Sequence, residues 1–153
     1  MDEQQRHIDR EAIHGQLSAK TVEVMAEIDN LASVTDFLHE GLSQRMCPMN
    51  IQNKVDICLE ELFVNVASYA YGSNVGKAWV SYTLLSDPTG IRVEIADEGV
   101  PFDPLAKPDP ERHETIEDTP IGGLGIFMTK TIADSIAYEY CDGRNTTTFE
   151  IYW

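Results

Sequence analysis

Basic residues are scarce in this 153-residue chain. Eleven Lys and Arg stand against 26 Asp and Glu, a formal net charge of −15. Phosphate backbones are bound by clustered cations, so the balance argues against direct nucleic-acid recognition. Long apolar runs are missing too. No stretch reaches the roughly 18 residues of a membrane span, and residues 1–10 lack the apolar core of a secretory signal. Cysteine is limited to Cys47, Cys58 and Cys141. The number is odd and the spacing fits no metal site, which suits reduced thiols in a cytoplasmic protein. His7, His14, His39 and His113 show no ligand spacing, so a histidine-held metal is not expected. No internal repeat or low-complexity segment appears.

What is present is an ordinary globular composition, 42% hydrophobic, in a length that suits one domain. Residues 1–18 read as a polar leader and residues 19–153 as the domain. Thr21–Ile28 is rich in β-branched residues and reads as a first strand. Asp29 or Asn30 can cap the helix that follows, in which Leu31, Val34, Phe37, Leu38 and Leu42 share a face. Arg45–Asn50 reads as a loop. Ile51–Tyr71 is the strongest helical segment, with a stripe of Val55, Cys58, Leu59, Leu62, Phe63, Val66 and Ala70. Gly72–Gly76 ends it. Lys77–Leu85 and Ile91–Ala96 alternate as strands around an Asp87-Pro88-Thr89-Gly90 turn. Gly125–Asp134 reads as helix. Ser135–Cys141 and Thr146–Trp153 read as strands around Asp142-Gly143-Arg144-Asn145. Helices on one face of a mostly antiparallel sheet, an α+β two-layer sandwich, is the economical architecture.

Three short motifs stand out. Glu61 and Asn65 lie four apart on the long helix, about 40° from each other around its axis. Asp97-Glu98-Gly99-Val100-Pro101-Phe102-Asp103-Pro104 leaves the end of a strand. Gly122-Gly123-Leu124-Gly125-Ile126-Phe127 enters a helix, where free N–H groups and the helix dipole favour an anion. Between the last two lies a segment with Pro104, Pro108, Pro110 and Pro120 and little periodicity, read as a lid over about residues 104–121. Taken singly, each has a plainer reading: a surface carboxylate, a helix-surface amide, a turn, a cap. Their joint occurrence, in this order and on these elements, points to a nucleotide site. A divalent cation and backbone amides would offset the nucleotide's charge in so acidic a chain.

With these motifs the chain resembles the GHKL class of ATP-binding domains, which share the Bergerat fold, and within it the anti-sigma-factor serine/threonine kinases. Glu61–Asn65 is similar to their N box, and the two glycine-bearing motifs to their glycine boxes. The resemblance implies ATP and Mg²⁺ as cofactors. Asn65 would hold Mg²⁺, Glu61 would be the general base towards the protein-substrate hydroxyl, and Asp97 would accept a hydrogen bond from the adenine amino group. Gly99 would let the base lie close to the backbone. The Gly122-Gly123-Leu124-Gly125 run would bind the cofactor, with Gly123 and Gly125 at the phosphates. Thr147 or Thr148 would support the adenine contact, with Thr147 favoured. Tyr69 departs from the histidine that many relatives carry after the N box.

Three functions follow as expectations. The first is a serine/threonine kinase that phosphorylates an anti-sigma antagonist and sequesters a sigma factor, as a homodimer. The second is a nucleotide-responsive protein-binding module with little kinase activity. The third, a histidine-kinase catalytic domain, fits least, because no helical hairpin precedes the N box.

Overall fold

The computed structural model describes residues 18–106, 108–109 and 124–153. Residues 1–17 of the leader and most of the lid, with Arg112, His113, Gly122 and Gly123, lie outside the described residues. Among the described residues five strands form one sheet in the order β1-β2-β3-β5-β4, every neighbouring pair antiparallel. They are β1 (Lys20–Met25), β2 (Lys77–Ser86), β3 (Thr89–Asp97), β4 (Ser135–Cys141) and β5 (Arg144–Tyr152). The α-helices among the described residues, α1 (Leu31–Ser43), α2 (Met49–Asn65) and α3 (Leu124–Ile132), pack against it. The α+β sandwich read from the sequence is the fold.

The core lies between the sheet and α1 and α2. Val34, Leu38 and Leu42 of α1 and Val55, Cys58, Leu59, Leu62 and Phe63 of α2 meet Val80 and Tyr82, Ile91, Val93 and Ile95, and Phe149 and Ile151 from β2, β3 and β5. Strand alternation decides which side chains face this layer. In β5 the odd positions, Asn145 to Ile151, are buried and the even ones are half-buried. Gly41 lets α1 sit on Tyr82, since a Cβ there would stand 2.5 Å from its ring. Phe37 completes that contact, its ring centroid 5.0 Å from that of Tyr82.

Several boundaries differ from the sequence reading. The first strand stops at Met25, and Ile28–Asn30 forms a 3₁₀ turn. Asn30 stands at the cap position of α1, but its side chain makes no cap bond: it donates to the Met25 carbonyl at 2.9 Å. α2 starts at Met49, within the expected loop, with Pro48 just ahead of it. Thr89 and Gly90 pair in β3, so the loop before them is only Asp87-Pro88, joined by a cis peptide bond. β5 begins at Arg144, because Asp142 and Gly143 both take positive φ (52° and 77°) and close a two-residue hairpin. Among the described residues no helix is long and apolar enough to cross a membrane.

Candidate nucleotide site

α2 ends at Asn65, and the chain continues through one π turn, Val66–Ala70. Such turns are frequent where a helix meets a functional site. This one borders an open cleft. Leu62, Asn65, Val66, Tyr69 and Ala70 form one wall. Val100, Pro101, Phe102 and Pro104 form the other, and Asp97, Asn145 and Thr147 complete the lining. The walls are largely apolar with a few polar groups among them, as expected of a small-molecule site.

Two contacts join the walls. Gly99 approaches Ala70 so closely that a Cβ would stand 2.1 Å from the Ala70 carbonyl oxygen. The next N–H, that of Val100, donates to the same carbonyl at 3.0 Å. Tyr71 adds a clip from the far side. Its hydroxyl accepts the Glu98 N–H at 2.8 Å and donates to the Lys77 carbonyl. Burial pushes the Tyr71 phenol up, which keeps it a neutral donor and acceptor. Gly76 gives its ring room, because a Cβ there would lie 2.2 Å from it.

Asp97, at the end of β3, is buried. Its Oδ1 accepts the Gly99 N–H at 2.9 Å and Asn145 Nδ2 at 2.9 Å. Thr147 faces the same cleft, while Thr148, one position on, points to the opposite face of the sheet. Glu61 lies one turn before Asn65 and does not line the cleft. Its carboxylate rests on the first turn of α3: a Cβ on Gly125 would stand 1.7 Å from Glu61 Oε2. The dipole of α3 favours a negative group there. Thr129, fully buried beneath, donates to the Gly125 carbonyl at 2.9 Å and meets Cys58 of α2.

The structure thus brings Asn65, Asp97 and Thr147 to one cleft. Gly99 sits behind its wall, and Glu61 and Gly125 meet beside it. Leu124 opens α3 and is exposed. The sequence reading missed Asn145, the most connected side chain of the site, because it assigned that residue to a turn. The signal was the Asp142-Gly143 pair, a two-residue hairpin turn that sends the following residues into the strand.

Residues 24–151 match the family model of the histidine kinase-like ATPase domain. The chain belongs to that family. Membership implies an ATP-binding domain, and the cleft brings together residues from two of the three sequence motifs. Curated relatives point the same way. The serine-protein kinase RsbW of Listeria monocytogenes is 32% identical over 121 residues, 76% of this chain and 69% of the relative. The serine/threonine-protein kinase BtrW of Bordetella bronchiseptica is 26% identical over 92 residues, 60% of this chain. RsbW of Bacillus cereus is 29% identical over 91 residues, 57% of this chain. The matches span 64% of the Bordetella protein and 56% of the Bacillus one. Among solved structures, the RsbU and RsbW domains of a Mycobacterium tuberculosis protein match with a TM-score of 0.62 at 16% identity, over 88% of this chain and 32% of that one. That likeness shows the fold.

Proposed function

We propose that this chain is a serine/threonine kinase of the anti-sigma type. It binds Mg-ATP in the cleft, transfers the γ-phosphoryl group to a hydroxyl of a small antagonist protein, and sequesters a sigma factor, as a homodimer in the cytoplasm. One observation carries the nucleotide part: the buried Asp97 carboxylate, held through Oδ1, shares a cleft with Asn65. Family membership and the serine kinases among the relatives support the rest.

In this reading Asp97 binds the adenine amino group and Thr147 supports that contact. Val100 and Phe102 supply an apolar wall that keeps water from the base. The donor set fits Mg²⁺: Asn65 offers one neutral amide oxygen, and this ion keeps several waters and takes other ligands from phosphate. When bound, the ion would neutralise charge on the phosphates. Glu61 takes the proton of the substrate hydroxyl as its oxygen bonds to the γ-phosphorus and ADP leaves. The Gly122–Gly125 run, at the entry to α3, holds the phosphates by its N–H groups. The second reading, a nucleotide-responsive binding module with little transfer activity, draws on the exposed rim of the cleft. Tyr69, Val100 and Phe102 are 67%, 62% and 45% exposed there.

The test is equilibrium binding of ATP and ADP, with and without Mg²⁺, to wild type, Asn65→Ala and Asp97→Ala, followed by transfer to an antagonist. Asp97→Ala loses a charged acceptor and weakens both nucleotides about tenfold or more. Asn65→Ala weakens binding only when Mg²⁺ is present. Glu61→Ala binds nucleotide and transfers nothing. Absence of binding at millimolar nucleotide would overturn the proposal, and transfer undiminished in Glu61→Ala would remove the base from it.

A further inference from the structure

Asn145 lies directly across the ladder from Asp97, on β5, and both side chains are buried. Its neighbours fix which way the amide points. The Phe102 backbone N–H can only donate, and it meets Asn145 Oδ1 at 3.1 Å. The Tyr138 hydroxyl meets the same oxygen. Nδ2 must therefore face the turn after β3. There it donates to Asp97 Oδ1 at 2.9 Å and the Val100 carbonyl at 3.0 Å, with the Gly99 carbonyl at 3.4 Å. A primary amide has two N–H donors, and both are used.

The consequence falls on Asp97. Both donors that reach it, Asn145 Nδ2 and the Gly99 N–H, converge on Oδ1. Oδ2 accepts no hydrogen bond from the described residues. Asp97 lines the cleft, so Oδ2 is the carboxylate oxygen that the described residues leave available to a ligand there. A carboxylate pinned by one oxygen cannot turn, and it offers the other as an acceptor in one direction.

We infer that Asn145 is a positioning residue that sets base selectivity: by holding Asp97 through Oδ1, it makes Oδ2 a fixed acceptor that selects a purine with a 6-amino donor. The inference rests on the nucleotide reading above. A 6-oxo purine would set oxygen against oxygen at this point. A purine with nothing at position 6 would leave the carboxylate unpaired under the base. Without Asn145 the carboxylate is free to rotate, and the preference relaxes. An Asn145 that served only to pin the turn would support all purines alike.

The experiment is calorimetric titration of the full chain with ATP, with the triphosphate of purine riboside, which lacks the 6-amino group, and with the 6-oxo inosine triphosphate. Wild type prefers ATP over the amino-less analogue by roughly ten- to hundredfold, the effect of one hydrogen bond to a charged group. In Asn145→Leu that ratio falls to within about threefold of unity, whatever happens to overall affinity. Asn145→Ala removes the donors without placing a second carboxyl beside Asp97. It reads the same ratio should the leucine variant fail to melt cooperatively. Equal loss of affinity for all three nucleotides, with the ratio unmoved, would overturn the positioning role and leave the nucleotide site standing. A wild type that binds none of them would overturn the site itself, and this inference with it.

Discussion

Replacing Gly99 by alanine drives a methyl group into the backbone of Ala70. The new Cβ would lie 2.1 Å from the Ala70 carbonyl oxygen, 2.5 Å from the carbonyl carbon and 2.8 Å from Cα. Real Cβ atoms essentially never approach other atoms within 3.0 Å, and no rotamer relieves a clash with backbone. The turn after β3 must retreat by roughly 1 Å from the π turn at the end of α2. The Val100 N–H bond to Ala70, 3.0 Å long, is lost first. It contributes about 1 kcal/mol, and the overpacking costs about 1–3 kcal/mol more. Urea denaturation of Gly99→Ala should then show a loss of about 2–4 kcal/mol, as a lower midpoint at unchanged slope. Asp97 and Asn65 stand on the two segments forced apart, so ATP affinity falls as well, by tenfold or more for a shift on the order of 1 Å. A variant within about 0.5 kcal/mol of wild type would refute the reasoning, because the close approach it relies on would not exist in solution.

Gly125→Ala also creates an overlap, but against the flexible end of Glu61, 1.7 Å from Oε2. The side chain swings aside, so stability stays within about 1 kcal/mol of wild type, helped by alanine's helix propensity. Phosphoryl transfer falls towards the level of Glu61→Ala, and full activity would show that the carboxylate's seat on α3 is irrelevant. A pH prediction concerns Cys58, whose thiol burial pushes from 9.0 up to about 12, with contact to Thr129 acting the other way. A raised folded-state pKa contributes stability that is complete below the unfolded value and lost as pH climbs through the folded one. Wild type should therefore lose up to about 1.4 kcal/mol per pH unit above pH 9 that Cys58→Ala does not lose. Chemical denaturation from pH 8 to 11 checks this, and parallel curves for the two proteins would refute it.

The elements were legible where periodicity had length to speak. The long helix and the alternating strands each bury one face against the same core, and their patterns carry that information locally. Boundaries failed where a side chain chose a partner that pattern does not encode. Asn30 looks like a helix cap, yet its amide is spent on the Met25 carbonyl. Thr89 and Gly90 look like turn residues, yet they pair with Ser86 and Leu85. In Gly90 a Cβ would meet the Tyr152 ring at 2.5 Å, so the glycine serves strand packing more than the turn. Both outcomes depend on residues distant in sequence or on competition between equally short local bonds.

Of the candidate site, the sequence marked residues that the fold gathers at one cleft, Asn65, Asp97 and Thr147, but not the reasons for its glycines. Gly99 and Gly125 stand in motifs that suggest close approach of a ligand. In the folded chain each already makes a close approach within the protein itself: Gly99 to the Ala70 carbonyl, Gly125 to the Glu61 carboxylate. These two contacts tie the glycine-bearing segments to the long helix and its π turn, the first at Ala70 and the second at Glu61. The glycines therefore place the nucleotide motifs relative to the Glu61/Asn65 pair before any nucleotide arrives. Asn145 does the equivalent for Asp97 from the other side, through the β3–β5 ladder. A motif comparison finds the residues that touch a ligand. It passes over Asn145, because that residue acts on another side chain, and only the register of two strands puts them together.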